Sequence, residues 1–277
     1  MRIDAHHHLW DLAHRDQPWT REAPRLRRTF SMSELRPSLE LHAIDATVVV
    51  QTIAVPEETP ELLALAIEDP HARAVVGWTQ LTDPAIADRL AELQQLPGGS
   101  ALVGLRHGVQ DENGPAWLER PDVRRGIAAI GAAGLTYDLL VRPDQLPHAV
   151  QLVREMPDVK FVLDHAGNPI VSAEGLATWS ATMTALAACP NTAVKLSGLV
   201  TRSPHASADA LRPFADVLLT TVGAGRVMFG SDWPVCLLAA DYDEVVSIAQ
   251  ALTEDLSTTE RDAVFGTTAA HWYGITR

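Results

Sequence analysis

Eight short, apolar, β-rich runs recur along the chain, and segments of helical periodicity separate them. The runs are Arg2–His6, Thr47–Gln51, Ala74–Trp78, Leu102–Arg106, Leu135–Val141, Val159–Leu163, Ala193–Leu196 and Arg226–Phe229. Strand alternating with helix points to a parallel sheet, because parallel neighbours need a crossover and a helix supplies it. Val48-Val49-Val50 and Phe161-Val162-Leu163 are continuously apolar, as strands covered on both faces must be. Eight such units in 277 residues predict one α/β domain over residues 1–277, folded as a (β/α)8 TIM barrel. The rival is a doubly wound open sheet, which wants a glycine-rich phosphate loop after its first strand. Here the first strand ends in His6-His7-His8.

Helix punctuation agrees with this frame. Ser31…Glu34 and Ser257…Glu260 read as capping boxes. Asp83-Pro84 reads as an N-cap followed by a first-turn proline. Gly134 stands where a glycine ends the helix over 124–133. Thr258–Tyr273 predicts extra C-terminal helix beyond the eighth strand.

Several function classes are disfavoured by composition. The net charge is −13, and the densest basic cluster is Arg25, Arg27 and Arg28, too little for a nucleic-acid face. No apolar run approaches the ~18–20 residues of a membrane span. Two cysteines, Cys189 and Cys236, make no disulfide framework, and each reads as a small buried hydrophobe. The N-terminus runs straight into a strand pattern with no leader-like segment. These features predict a cytoplasmic protein, monomer or homodimer, acting on a small molecule.

In a barrel the catalytic face lies at the C-terminal ends of the strands. Strand by strand, those ends carry Asp4, His6 and His8; Gln51; Trp78 and Gln80; Arg106 and His107; Tyr137 and Asp138; Asp164 and His165; Lys195 and Ser197; and Ser231, Asp232 and Trp233. His6 and His8 are one strand period apart, so they face one side about 6.5–7 Å from each other. Two imidazoles so placed suit one metal ion or one substrate oxygen, and Asp232 can complete the set as ligand, base or both. Asp4 shares their parity and either orients them or is structural. His7 faces the other way and reads as packing. Lys195, on an apolar strand, needs a partner and serves either a salt bridge at the barrel mouth or the substrate.

Ile3-Asp4-Ala5-His6-His7-His8-Leu9-Trp10 with Gln17-Pro18-Trp19 resembles the opening of the amidohydrolase superfamily, amidohydrolase-2 branch. Gly104-Leu105-Arg106-His107, the run Phe161–Pro169, the run Val194–Leu199 and the run Met228–Pro234 resemble its later motifs, in the expected order from Ile3 to Pro234. Within the branch the chain is most similar to sugar-acid lactonases, the L-fuconolactone and L-rhamnonolactone hydrolases. The resemblance implies a hydrolytic barrel in which Asp232 is the general base on the attacking water. It implies that His6, His8 and His165 face the carbonyl, directly or through a divalent metal, and that Arg106, His107 and Tyr137 hold the substrate. Trp10, Trp19, Trp78 and Trp233 then form either an apolar wall against a sugar ring or ordinary packing. The segment Ser197–Ser207, with Arg202 and His205, is either a cover over the site or a plain surface loop.

Ester hydrolysis needs an activated water, a site for the oxyanion and a proton for the leaving alkoxide. A lactone asks less of such a site than an amide, so either no cofactor is required or one divalent metal serves. Binuclear relatives place a lysine at the end of strand 4, where this chain has Arg106 and His107, and many mononuclear ones take a histidine from strand 5, which has none. The set left for one Zn²⁺ or Mn²⁺ is His6, His8, His165 and Asp232. A metal-dependent decarboxylase or amidase on the same scaffold, and a barrel that only binds a sugar acid, remain alternatives at this point.

Overall fold

The computed structural model describes residues 1–203 and 205–276. Strands β1 (Ile3–His7), β2 (Ala46–Val50), β3 (Ala72–Gly77), β4 (Leu102–Gly108), β5 (Thr136–Leu140), β6 (Phe161–Leu163), β7 (Thr192–Leu196) and β8 (Val227–Phe229) pair in parallel and in chain order. Beyond β8 the chain closes the seam: Asp232 N donates to His6 O at 2.8 Å, and His8 N donates to Trp233 O at 2.7 Å. One helix follows each strand: α1 (Met32–Leu41), α2 (Glu58–Glu68), α3 (Ile86–Gln95), α4 (Pro121–Ala132), α5 (Leu146–Glu155), α6 (Ala173–Ala187), α7 (Ala208–Val217) and α8 (Tyr242–Leu252). The expected C-terminal addition is α9 (Thr258–Asp262) and α10 (Thr268–Tyr273), joined by a π-helical turn at Ala263–Thr267. The eight strand runs read from the sequence coincide with the eight strands, and the barrel is the expected (β/α)8 fold.

Two apolar layers follow from strand alternation. Val49, Val75, Leu105, Leu139 and Phe161 pack outward against the helices. Ile3, Ala5, Val48, Val50, Val76 and Val162 fill the barrel interior, and Trp272, Tyr273 and Ile275 join them from the C-terminal segment. α10 thus plugs the barrel at the end opposite the expected site, and its aromatic side chains keep water from the small interior residues.

Some local expectations are corrected. Ser31 makes no capping bond, because Arg28 holds Glu34 at 2.7 and 2.5 Å and Ser31 Oγ turns to Ser33 Oγ. The box at Ser257 and Glu260 is present, and so is a second at Asp241 and Glu244. Asp83 accepts from Ala85 N at 2.8 Å in a turn before α3, which starts two residues beyond the expected proline. Gly134, at φ 76°, sits just past α4 as expected.

The parity expected for Asp4 is also wrong. The β1–β2 register slips between Asp4 and His7, where three steps on β1 face two on β2. This is a bulge, which re-aims side chains beyond it. Before it, Ile3 and Ala5 face the interior while Asp4 faces out, accepting from Tyr242 of α8 at 3.2 Å and from Ser231 N at 2.9 Å. After it, His6 and His8 face inward, and His7 faces out to Thr47 Oγ1 at 2.9 Å.

Candidate active site

The C-terminal strand ends open into a cleft of about 630 Å³. Pro18, Trp19, Ile53, Val235 and Leu238 give it an apolar side, and Arg106, His107, Asp111, Glu112, Asn168 and Arg202 give it a polar one. His8, His165 and Asp232 lie at its floor.

Local backbone chemistry places these groups. Asp232 and His165 both hold left-handed backbone, φ 58° and 52°, a conformation that costs a non-glycine residue roughly 1–2 kcal/mol. Asp232 is kept there by its N–H to His6 O and by Cys236 N donating to its carbonyl at 2.8 Å. Gly230 makes room for His6, since a Cβ on it would stand 2.7 Å from His6 Cβ. Gly198 does the same for His165 at 2.6 Å from Nδ1, and its own φ of +67° suits glycine.

The central feature is a gap. Asp232 Oδ1 stands 3.8 Å from His6 Nε2, 3.6 Å from His8 Nε2 and 3.9 Å from His165 Nε2. These distances are too long for direct hydrogen bonds and leave room for one small atom among four polar groups. Burial pushes the Asp232 carboxyl above its usual range, against the pull of His165 and Arg106. Burial likewise lowers His6 and His165 and takes His8 down to about 3, so the imidazoles are neutral near pH 7. His165 Nδ1 meets Ser197 Oγ at 2.9 Å, and His8 Nδ1 meets Val50 O at 2.8 Å.

A polar layer lies directly beneath. Lys195 Nζ is 2.7 Å from Asp138 Oδ2, 2.9 Å from Asp164 Oδ1 and 3.1 Å from His6 Nδ1, all fully buried. Tyr273 of the α10 plug donates to Asp138 at 2.6 Å, and Thr136 donates to its other oxygen at 3.1 Å. Arg106 Nη1 donates to Asp164 Oδ2 at 3.1 Å, and Nη2 donates to Gln51 O. Burial alone would raise Asp164, but the charge of Lys195, the contact with His6 and the charge of Arg106 prevail and hold its carboxyl well below the usual range.

The sequence-expected residues divide into two groups. His6, His8, His165, Asp232, Arg106, His107 and Trp19 come together at the cleft or its floor, with Trp19 42% exposed on the rim. The other four lie away from the cleft lining; Tyr137 was expected to hold substrate, while Lys195, Trp78 and Trp233 were open between substrate contact and a structural role. Lys195 is 0% exposed in the layer below. Tyr137 has the opposite parity to Thr136 and Asp138 and packs edge-on against Phe161 outside the barrel. Trp233 packs edge-on against Phe30. Trp78 stands behind His107, donating to its Nδ1 at 3.2 Å, while His107 stacks on Trp117 and directs Nε2 to Glu112 at 2.7 Å. Asp138 and Asp164 are the site residues whose weight the sequence underplayed. Lys195 was their signal, since an interior lysine demands an interior carboxylate.

The donor set fits a metal ion. Bonds of about 2.0–2.1 Å around a tetrahedral zinc put ligand atoms about 3.3 Å apart. His6 Nε2 and His8 Nε2 are 3.1 Å apart, with Asp232 Oδ1 at 3.8 and 3.6 Å.

The chain is similar to known proteins over nearly its whole length. The profile of the amidohydrolase family matches residues 3–275. The L-fucono-1,5-lactonase of Burkholderia multivorans is 39% identical, over 99% of this chain and 96% of its own. That of Burkholderia ambifaria is 34% identical, over 100% and 96%. A Burkholderia multivorans amidohydrolase, crystallised with bound zinc, superposes over 100% of both chains with a TM-score of 0.93 at 39% identity. No described helix is long and apolar enough to cross a membrane.

Proposed function

This chain belongs to the amidohydrolase family, and from that premise we propose that it hydrolyses the lactone of a sugar acid to the free acid, with L-fucono-1,5-lactone as the first substrate to test. The observation that carries this reading is a buried carboxylate oxygen, Asp232 Oδ1, that stands 3.6–3.9 Å from three imidazole nitrogens and bonds to none of them, so it is free to take a proton from a water lying against the cluster.

Asp232 takes a proton from that water as its oxygen bonds to the lactone carbonyl carbon. The carbonyl oxygen becomes an oxyanion within reach of Arg106 and of the Nε2–H groups of His6 and His165, in a site where burial strengthens each hydrogen bond. The ring C–O bond then breaks, and the alkoxide takes the proton from Asp232. The new carboxylic acid ionises, so each turnover releases one proton to solvent. Trp19 and Leu238 offer the sugar ring an apolar face, while His107, Glu112 and Arg202 face its hydroxyls. Where a divalent cation is bound, His6, His8, His165 and Asp232 would hold it, and it would polarise the carbonyl and acidify the water. Two buried, unpaired cysteines fit a reducing compartment.

The test is proton release in weak buffer across a panel of aldonolactones, before and after EDTA treatment. Release on a sugar lactone is the expected result, and its survival of EDTA makes the residues sufficient without a metal. Silence on the whole panel would overturn the reading.

A further inference from the structure

The imidazole proton of His6 has two places to sit, and the groups around the ring choose between them. His8 sets the first constraint. Its Nδ1 lies 2.8 Å from Val50 O, and because a carbonyl only accepts, that nitrogen carries the His8 proton. The bare His8 Nε2 lies 3.1 Å from His6 Nε2, so the His6 nitrogen is the donor. On the other side of the ring, His6 Nδ1 lies 3.1 Å from Lys195 Nζ. An ammonium has no acceptor capacity, so Nδ1 must be bare. Two separate contacts therefore assign one tautomer, with the proton on Nε2. Arg106 Nη1 approaches that nitrogen only at 3.5 Å and gives its better bond to Asp164 at 3.1 Å.

A second arrangement is already built. Asp164 Oδ1 lies 3.3 Å from His6 Nδ1. It is buried 2.9 Å from Lys195 Nζ but has no aligned hydrogen-bond donor. With the proton on Nδ1, this oxygen gains one. Nε2 is then a bare lone pair on the side of Asp232, as a metal ligand must be. The ring keeps one proton throughout; Nε2 loses its proton to solvent and Nδ1 takes one up.

We propose that Lys195 is a positioning residue that holds His6 in the Nε2–H tautomer. The ring then keeps its proton on the Asp232 side, shared with His8, by default and the site accepts a divalent cation only when Asp164 replaces Lys195 as the partner of Nδ1. The benefit of that N–H to a lactone carbonyl rests on the hydrolase reading. The tautomer and the metal response do not, and both are measured without substrate.

Long-range ¹⁵N–¹H spectra of the imidazoles in EDTA-treated protein read the tautomer directly, with the His6 signals identified by their loss in His6→Asn. Nε2–H is expected, changing to Nδ1–H on addition of Zn²⁺. Nδ1–H in the metal-free protein would overturn the proposal. Zinc titration calorimetry on Lys195→Met/Asp138→Asn, which removes a positive and a negative charge together, is the second arm. Losing a hydrogen bond from a charged donor should tighten zinc binding by about tenfold or more; unchanged affinity contradicts the proposal. A protein inactive on lactones that still shows Nε2–H would sink the hydrolase reading alone.

Discussion

Two layers of the barrel, adjacent along its axis, use the same chemistry to opposite ends. In the lower layer, Asp138 and Asp164 are spanned by Lys195 at 2.7 and 2.9 Å and further held by Tyr273, Thr136 and Arg106. In the upper layer, Asp232 stands 3.6–3.9 Å from its neighbours. Asp164 is held far below the usual carboxylate range, and burial pushes Asp232 above it. About an ångström of partner distance separates a carboxylate that braces the barrel from one free to accept a proton.

The sharpest way to break the comparison is Asp232→Asn. If Asp232 is the general base as proposed, its loss lowers kcat by about 10²–10⁴-fold. The melting temperature should hold or rise, because a buried carboxylate without a close partner is removed. Proton-release kinetics and calorimetry on one preparation check both halves. Lys195→Met should do the reverse to the fold, destabilising it by roughly 3–5 kcal/mol in urea unfolding, since two buried carboxylates lose their shared cation. Wild-type stability in that variant would mean the lower layer is no brace. Trp19→Ala is the smallest change expected: KM rises about 3- to 10-fold with kcat within about twofold, as befits a rim contact made equally in ground and transition states. A kcat effect larger than the KM effect would place Trp19 at the reacting centre instead.

The contrast between layers also explains what the sequence disclosed. Strands buried on both faces are written as continuous apolar runs, so all eight were legible. Polar groups at their C-terminal ends stand out against that background, and His6, His8, His165, Asp232 and Arg106, singled out in this way, lie together in the structure. Which way a side chain faces was harder. The β1 bulge has no sequence mark among three consecutive histidines, so Asp4 was assigned to the wrong face. Tyr137 and Asp138 are neighbours of equal promise, and only the register of β5 sends one out and the other in. Lys195 was left open between a salt bridge and a substrate contact because its two carboxylates lie 57 and 31 positions away in sequence. At Ser31, the capping pattern lost to Arg28, a competitor that local pattern does not weigh.

Turnover and melting, measured through one series of acidic buffers, test the division between the layers most directly. A raised Asp232 must be deprotonated to act, so kcat/KM should fall with unit slope as pH drops through a value above 3.8, the ordinary aspartate value. A depressed Asp164 contributes stability that is whole above 3.8 and lost only as pH falls toward its folded value. The account predicts an interval above 3.8 in which activity disappears reversibly while the melting temperature does not fall. Activity and melting falling together, or activity persisting to the ordinary aspartate range, would contradict it.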